Sequence, residues 1–144
     1  MPTLNVSEAI DQALCFGWID GKGVTINEER YGKYFCKRKP NGTWSKINKE
    51  KVERLIASNQ MTTAGLACIA AAKENGSWII LDEVEKLLVP KDLSKALGLK
   101  LLKKFKARSR SEQRFHLQNL VLAKTEKTRK SRITEIVKKL TDTA

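Results

Sequence analysis

The 144-residue chain has one histidine, three prolines, three cysteines and few aromatics, and its 28 basic residues outnumber its 16 acidic ones. No apolar run approaches the ~18 residues that a membrane span requires, so no membrane insertion is expected. With His116 as the single imidazole, and with Cys15, Cys36 and Cys68 lacking CxxC or any other ligand spacing, neither a metal site nor a cofactor is expected. An odd cysteine count without a pairing pattern reads as reduced thiols behaving as small hydrophobes. Phosphate-binding glycine loops, GxSxG elbows and HExxH helices are all missing, so no motif identifies a reaction. The opening MPTLNVSEAI has neither a basic leader nor an apolar stretch, which predicts a cytoplasmic protein.

What is present suits a globular protein: 41% hydrophobic and 31% charged residues, in a chain long enough to bury a core without staples. Charge is unevenly placed. Residues 1–29 carry one basic and five acidic groups, a net of −4, whereas residues 30–54 carry nine against two, a net of +7. Residues 55–100 balance at five each, and residues 101–144 hold thirteen against four, a net of +9. Two basic zones can steer a protein toward phosphate-rich partners, or can simply be solvated helix faces.

Val6, Ala9, Ile10, Ala13, Leu14 and Gly17 recur at helical spacing, with Asn5 as cap, Glu8 in the first turn and Gly17 as stop. Trp18 to Asp20, Val24 to Ile26 and Tyr31 to Arg38 read as short strands, with Gly21 and Gly23 giving a turn or bulge between the first two. Asn48 is the expected cap of the next helix, with Val52, Leu55 and Ile56 facing inward. Thr62 caps a third helix with a stripe of Leu66, Ile69 and Ala70, ended by Asn75-Gly76. Val89-Pro90 is the clearest internal boundary, and Asp92 is the expected cap beyond it. The rest reads as helical, with Ile133, Ile136, Val137 and Leu140 as the last apolar stripe. The expected fold is α+β: mostly helical, with a small antiparallel sheet near the N-terminus packed against helices. One domain is expected over 1–144, with an α+β core at 1–89 and a helical subdomain at 90–144.

Two stretches draw attention. In ALCFGWIDGKG, Cys15 and Phe16 are expected inside, Cys15 with His116 could form a thiolate pair or be structural, and Asp20 could act as a base or close a turn. In FCKRKPNGTWSKIN, Phe35 and Trp44 flank Lys37, Arg38, Lys39 and Lys46. Aromatics interleaved with cations suit base stacking and phosphate binding; equally, Phe35 and Trp44 can be core while Lys46 snorkels.

EAIDQALCFGWIDG, EERYGKYFCKRKPNGTWSKIN, VERLIASNQMTTAGL and EKTRKSRITEIV together resemble the bacterial YdeI/OmpD-associated family, also labelled bacteriocin-protection proteins, from about residue 4 to the last helix. The resemblance implies cytosolic α+β proteins of unsettled biochemistry, tied by name to stress or bacteriocin tolerance and to a porin; it carries no catalytic residues. Two departures stand out. The family's N-terminal segment, with a strand resembling GVWLVFYKK, is expected to be missing. Where relatives tend to have aromatics, this chain has Glu112, His116 and Asn119.

Three functional readings follow. The first is a non-enzymatic binding or stress-protection protein holding a polyanion through Lys37, Arg38, Lys39 and Lys46. The second is a small enzyme or small-anion binder with a cleft of Trp18, Asp20, Gly21, Arg38, Trp44, Ser45, Lys46 and Asn48. The third is a protein-interaction module whose C-terminal helices dock on a protein partner. A homodimer through an exposed strand edge is a further expectation, since free backbone donors and acceptors recruit another strand.

Overall fold

A computed structural model describes residues 4–143. The fold is α+β, with seven α-helices, a 3-10 turn and a two-stranded antiparallel sheet among these residues. It divides into two compact units, residues 1–80 and 81–144. The division falls ahead of Val89-Pro90, because Leu81 and Val84 belong to the second core.

In the first unit, α1 (Val6–Cys15) starts at Asn5, whose side chain accepts the Ser7 N–H, and buries Leu14 and Cys15. Gly17 ends it at φ +76° with its N–H on the Leu14 carbonyl, a left-handed conformation that glycine adopts without strain. Phe16 corrects the expectation of an inward side chain: it caps the helix C-terminus and is 55% exposed. The two short strands expected at 18–26 are one, β1 (Trp18–Thr25), interrupted by a bulge between Asp20 and Gly23. β2 (Tyr31–Lys37) pairs with it in the register Trp18↔Lys37, Asp20↔Phe35, Gly23↔Lys33, Thr25↔Tyr31.

Helix α2 (Lys46–Ala57) is capped by Ser45, whose Oγ accepts the Asn48 N–H at 3.2 Å, so Asn48 lies inside the first turn instead of capping it. Of its expected stripe, Val52 and Leu55 are buried while Ile56 is exposed. Asn59, at φ 57°, closes α2: its N–H reaches the Ile56 carbonyl and that of Gln60 reaches Leu55. This satisfies the last carbonyls in the Schellman manner. Thr62 caps α3 (Thr63–Asn75), and left-handed Gly76 stops it before the 3-10 turn Ser77–Ile79. The buried face of α3 is Gly65, Ile69 and Ala72, not Leu66 and Ala70, because Gly65 lets α3 touch the end of α1. The Thr62 N–H and Oγ1 both donate to the Cys15 carbonyl, at 3.1 and 2.6 Å. Leu14, Cys15, Trp44, Val52, Leu55, Ile69 and Ala72 form this unit's core. Asp11 ties α1 to α2 by accepting from Lys51 and Arg54, both at 2.8 Å.

The second unit packs α4 (Asp82–Glu85), α5 (Lys91–Lys106), α6 (Arg110–Val121) and α7 (Glu126–Asp142) around Leu93, Leu97, Phe105, Leu117, Leu120, Ile133, Ile136 and Leu140. Pro90 occupies the N-cap of α5, and Asp92 instead accepts from Arg129 of α7 at 2.6 and 3.0 Å. A two-oxygen clamp of this kind fixes orientation as well as charge. Gly98 (φ 64°, ψ 178°) breaks α5, a conformation open to glycine.

Candidate functional site

Residues directly opposite in an antiparallel pair share a face, so the register sorts the hairpin. Tyr31, Lys33, Phe35 and Lys37 alternate along one face of β2, with Trp18 and Asp20 of β1 beside them. Aromatic and cationic side chains thus succeed one another on one surface. Gly23 sits on the same face, and an added Cβ would overlap the Tyr31 hydroxyl; the bare glycine lets that ring lie against the strand. Lys33 pairs with Asp20 at 3.2 Å, which accounts for Asp20 as a surface ion-pair partner. Lys37 and Lys39 are exposed and hold no ion pair among the described residues.

Where this face meets α1, Leu4, Ala9, Ala13, Phe16, Trp18 and Phe35 line an apolar groove of about 400 Å³, with Gln12 as the polar member. Trp18 is 38% exposed. A concave, mainly apolar groove of a few hundred Å³ has the usual shape and size of a ligand site. The sheet has two strands among the described residues, so each strand also presents an outer edge with no strand beyond it.

The remaining predicted residues lie elsewhere. Trp44 is 2% exposed and packs against Trp78, ring centroids 4.9 Å apart. Arg38, 8% exposed, follows Lys37 but turns inward: its guanidinium lies 3.6 Å over the Trp44 ring and its Nη1 donates to the Thr43 carbonyl at 2.9 Å. Its backbone N–H donates to Gly17 at 3.0 Å, so Arg38 is the strut that joins the ALCFGWIDG and WSKIN motifs. Nε and Nη2 have no hydrogen-bond partner among the described residues, and burial lowers the group to about 10, against the opposing pull of Cys68 and Asp20. Ser45 and Asn48 are explained by capping, Gly21 by the bulge, and Lys46 is an exposed partner of Glu50 at 3.9 Å. The groove lined by Trp18 includes none of Trp44, Ser45, Lys46 or Asn48.

Sequence reasoning missed Leu4, Phe16 and the face alternation of β2. The alternation was legible in YGKYFCK, where every second residue is Tyr, Lys, Phe, Lys. Cys15 is buried, and burial raises its thiol above the ordinary range. Among the described residues no cluster of three or more His, Cys, Asp or Glu is placed to hold a metal ion, and no helix is long and apolar enough to cross a membrane.

Residues 86–142 match the family described as Bacteriocin-protection, YdeI or OmpD-Associated. That match contains the tail EKTRKSRITEIV. ALCFGWIDG and WSKIN fall within a second match, over residues 1–68, to a family described as Domain of unknown function (DUF8412). No curated protein and no solved structure matches the chain.

Proposed function

We propose that the chain is a non-enzymatic binding protein of the bacteriocin-protection, YdeI or OmpD-associated class, and that its first unit holds an anionic polymer with flat apolar groups. Single-stranded nucleic acid is the chemistry that fits. The observation that carries this reading is the Tyr31, Lys33, Phe35, Lys37 alternation beside Trp18. Phosphates would seek the unpaired Lys37 and Lys39, and bases would stack on Trp18 and Phe35, since base–aromatic stacking is tolerant of sequence. The proposed polyanion surface is narrower than the basic run suggests: Arg38 serves the core and Lys46 pairs with Glu50, which leaves exposed Lys37 and Lys39 as the cations for the partner.

Tryptophan emission tests the stacking. Trp44 is buried and Trp78 is half-buried against it, whereas Trp18 is exposed on the hairpin face, so an added oligothymidylate should quench chiefly the Trp18 component. Trp18→Leu should remove most of the quenching and weaken binding by ~1–3 kcal/mol, the usual worth of one stacked base. Undiminished quenching and affinity in Trp18→Leu would refute the stacking surface.

A further inference from the structure

The second unit has a cleft of its own between α6 and α7. Arg132, Glu135, Ile136 and Lys139 follow one another at i, i+3, i+4 and i+7 on α7, and Phe115, His116 and Asn119 face them from α6. Together they enclose about 280 Å³. Ile136 is buried, and Phe115 is exposed with its ring edge-on to His116 at 5.4 Å, so part of the lining is apolar and aromatic.

Its polar groups are unevenly matched. Arg132 is half-buried, anchored by a hydrogen bond from Nη1 to the Asn119 carbonyl, and has no carboxylate partner among the described residues. Glu112 alone serves three neighbours: Lys139 at 3.5 Å, Arg108 at 3.9 Å and His116 at 4.0 Å. Among the lining residues, Arg132 and Lys139 against Glu135 leave one excess positive charge with His116 neutral. A positioned guanidinium lacking its anion, over an aromatic and aliphatic lining, is built for one negative charge on a flat body. Glu135 on the wall disfavours a multiply charged phosphate.

We propose that the α6–α7 cleft binds a small monocarboxylate with a flat apolar body, the carboxylate on Arg132 and Lys139 and the body against Phe115 and Ile136. His116 is the chain's one histidine and so an unambiguous reporter. Burial first, then Lys139 and Arg108, hold it below its ordinary value, and Glu112 opposes them. A carboxylate seated beside Lys139 adds negative charge, which draws the titration of His116 upward, whereas a neutral body adds only burial.

The test follows the His116 Cε1–H proton resonance across pH in the full chain, with benzoate, the neutral isostere benzamide, or inorganic phosphate. Benzoate should raise the titration midpoint saturably, and benzamide should not raise it. Arg132→Gln should weaken the benzoate effect about tenfold or more, the usual loss for one charge-assisted hydrogen bond. Lys139→Gln, at an exposed position that leaves the Arg132 anchor intact, should weaken it too, while Lys138→Gln on the same helix should not. No shift with benzoate, an equal shift with benzamide, a larger one with phosphate, or an undiminished one in Lys139→Gln would overturn the assignment.

Discussion

Gly65→Ala probes the closest helix contact in the first unit. A Cβ at this position would lie 2.3 Å from the Cys15 carbonyl oxygen, 2.8 Å from its carbon and 2.7 Å from Met61 Cε. The methionine end can swing aside, but the other two atoms are α1 backbone. Reaching an ordinary contact requires α3 and α1 to separate by roughly 1 Å, which also stretches both hydrogen bonds from Thr62 to Cys15. Overpacking of this kind costs about 1–3 kcal/mol, and the two stretched hydrogen bonds, weakened but not lost, together add about 1. Alanine's better helix propensity returns just under 1 kcal/mol, for a net loss of about 2. Trp18, Trp44 and Trp78 all lie in the first unit, so urea unfolding followed by tryptophan emission reports on that unit alone. Gly76→Ala is the comparison, because no atom lies within 4 Å of its Cβ and only the left-handed backbone is penalised, by about 1 kcal/mol. A Gly65→Ala midpoint at or above wild type would refute the close α1–α3 contact.

Two further outcomes follow from the same geometry. Burial of Asp11 opposes its charge, but hydrogen bonds and charges from Arg54 and Lys51 outweigh it and hold the carboxyl below its ordinary value. A lowered folded value means a contribution present above the unfolded value near 3.8 and lost as pH falls below it. Asp11→Asn should therefore remove about 1 kcal/mol at neutral pH and flatten the acid limb of a tryptophan-monitored titration; an unchanged limb would contradict the clamp. Among the thiols, exposed Cys36 should alkylate first and buried Cys15 last, with peptide mass spectrometry giving the order. Early modification of Cys15 would contradict its place in the core.

Local signals carried much of the fold. Asn5, Thr62, Gly17 and Gly76 mark helix ends through their own side-chain or backbone chemistry, and the structure uses each as such. Errors arose where several residues could perform one local task. Ser45 and Asn48 are both good caps, and the choice fell to Ser45 because Trp44 is drawn into the core immediately before it. Pro90 needs no side-chain cap to open α5, which frees Asp92 for Arg129. The sequence of α3 is apolar nearly all round, so periodicity could not say that the glycine face is the buried one; a backbone contact with α1 decides it.

The site was half legible for a similar reason. Composition marked residues 30–54 as basic and aromatic, but sorting them requires the strand register. Trp18 and Lys37 are direct partners on the surface, while Trp44 and Arg38 form a stacked pair inside. No pattern in one sequence separates a lysine that faces solvent from an arginine, one residue later, that lies over an indole. The α6–α7 cleft was not legible in the sequence: Phe115, His116 and Asn119 meet Arg132, Glu135 and Lys139 only through the packing of α6 against α7.

The most direct measurement is the salt dependence of binding of a fluorescent single-stranded oligonucleotide, with heparin as the polyanion lacking bases, to wild type and to Lys37→Gln/Lys39→Gln. Both lysines are exposed, so the double variant should keep the fold. If each neutralises one phosphate, the slope of log affinity against log salt should become shallower by about 1.4, roughly 0.7 for each contact on a single strand. Wild type should also prefer the oligonucleotide to heparin, because only the bases can use Trp18 and Phe35. Equal slopes for the two proteins, or no binding by wild type at low salt, would contradict the assignment of the hairpin face to an anionic polymer.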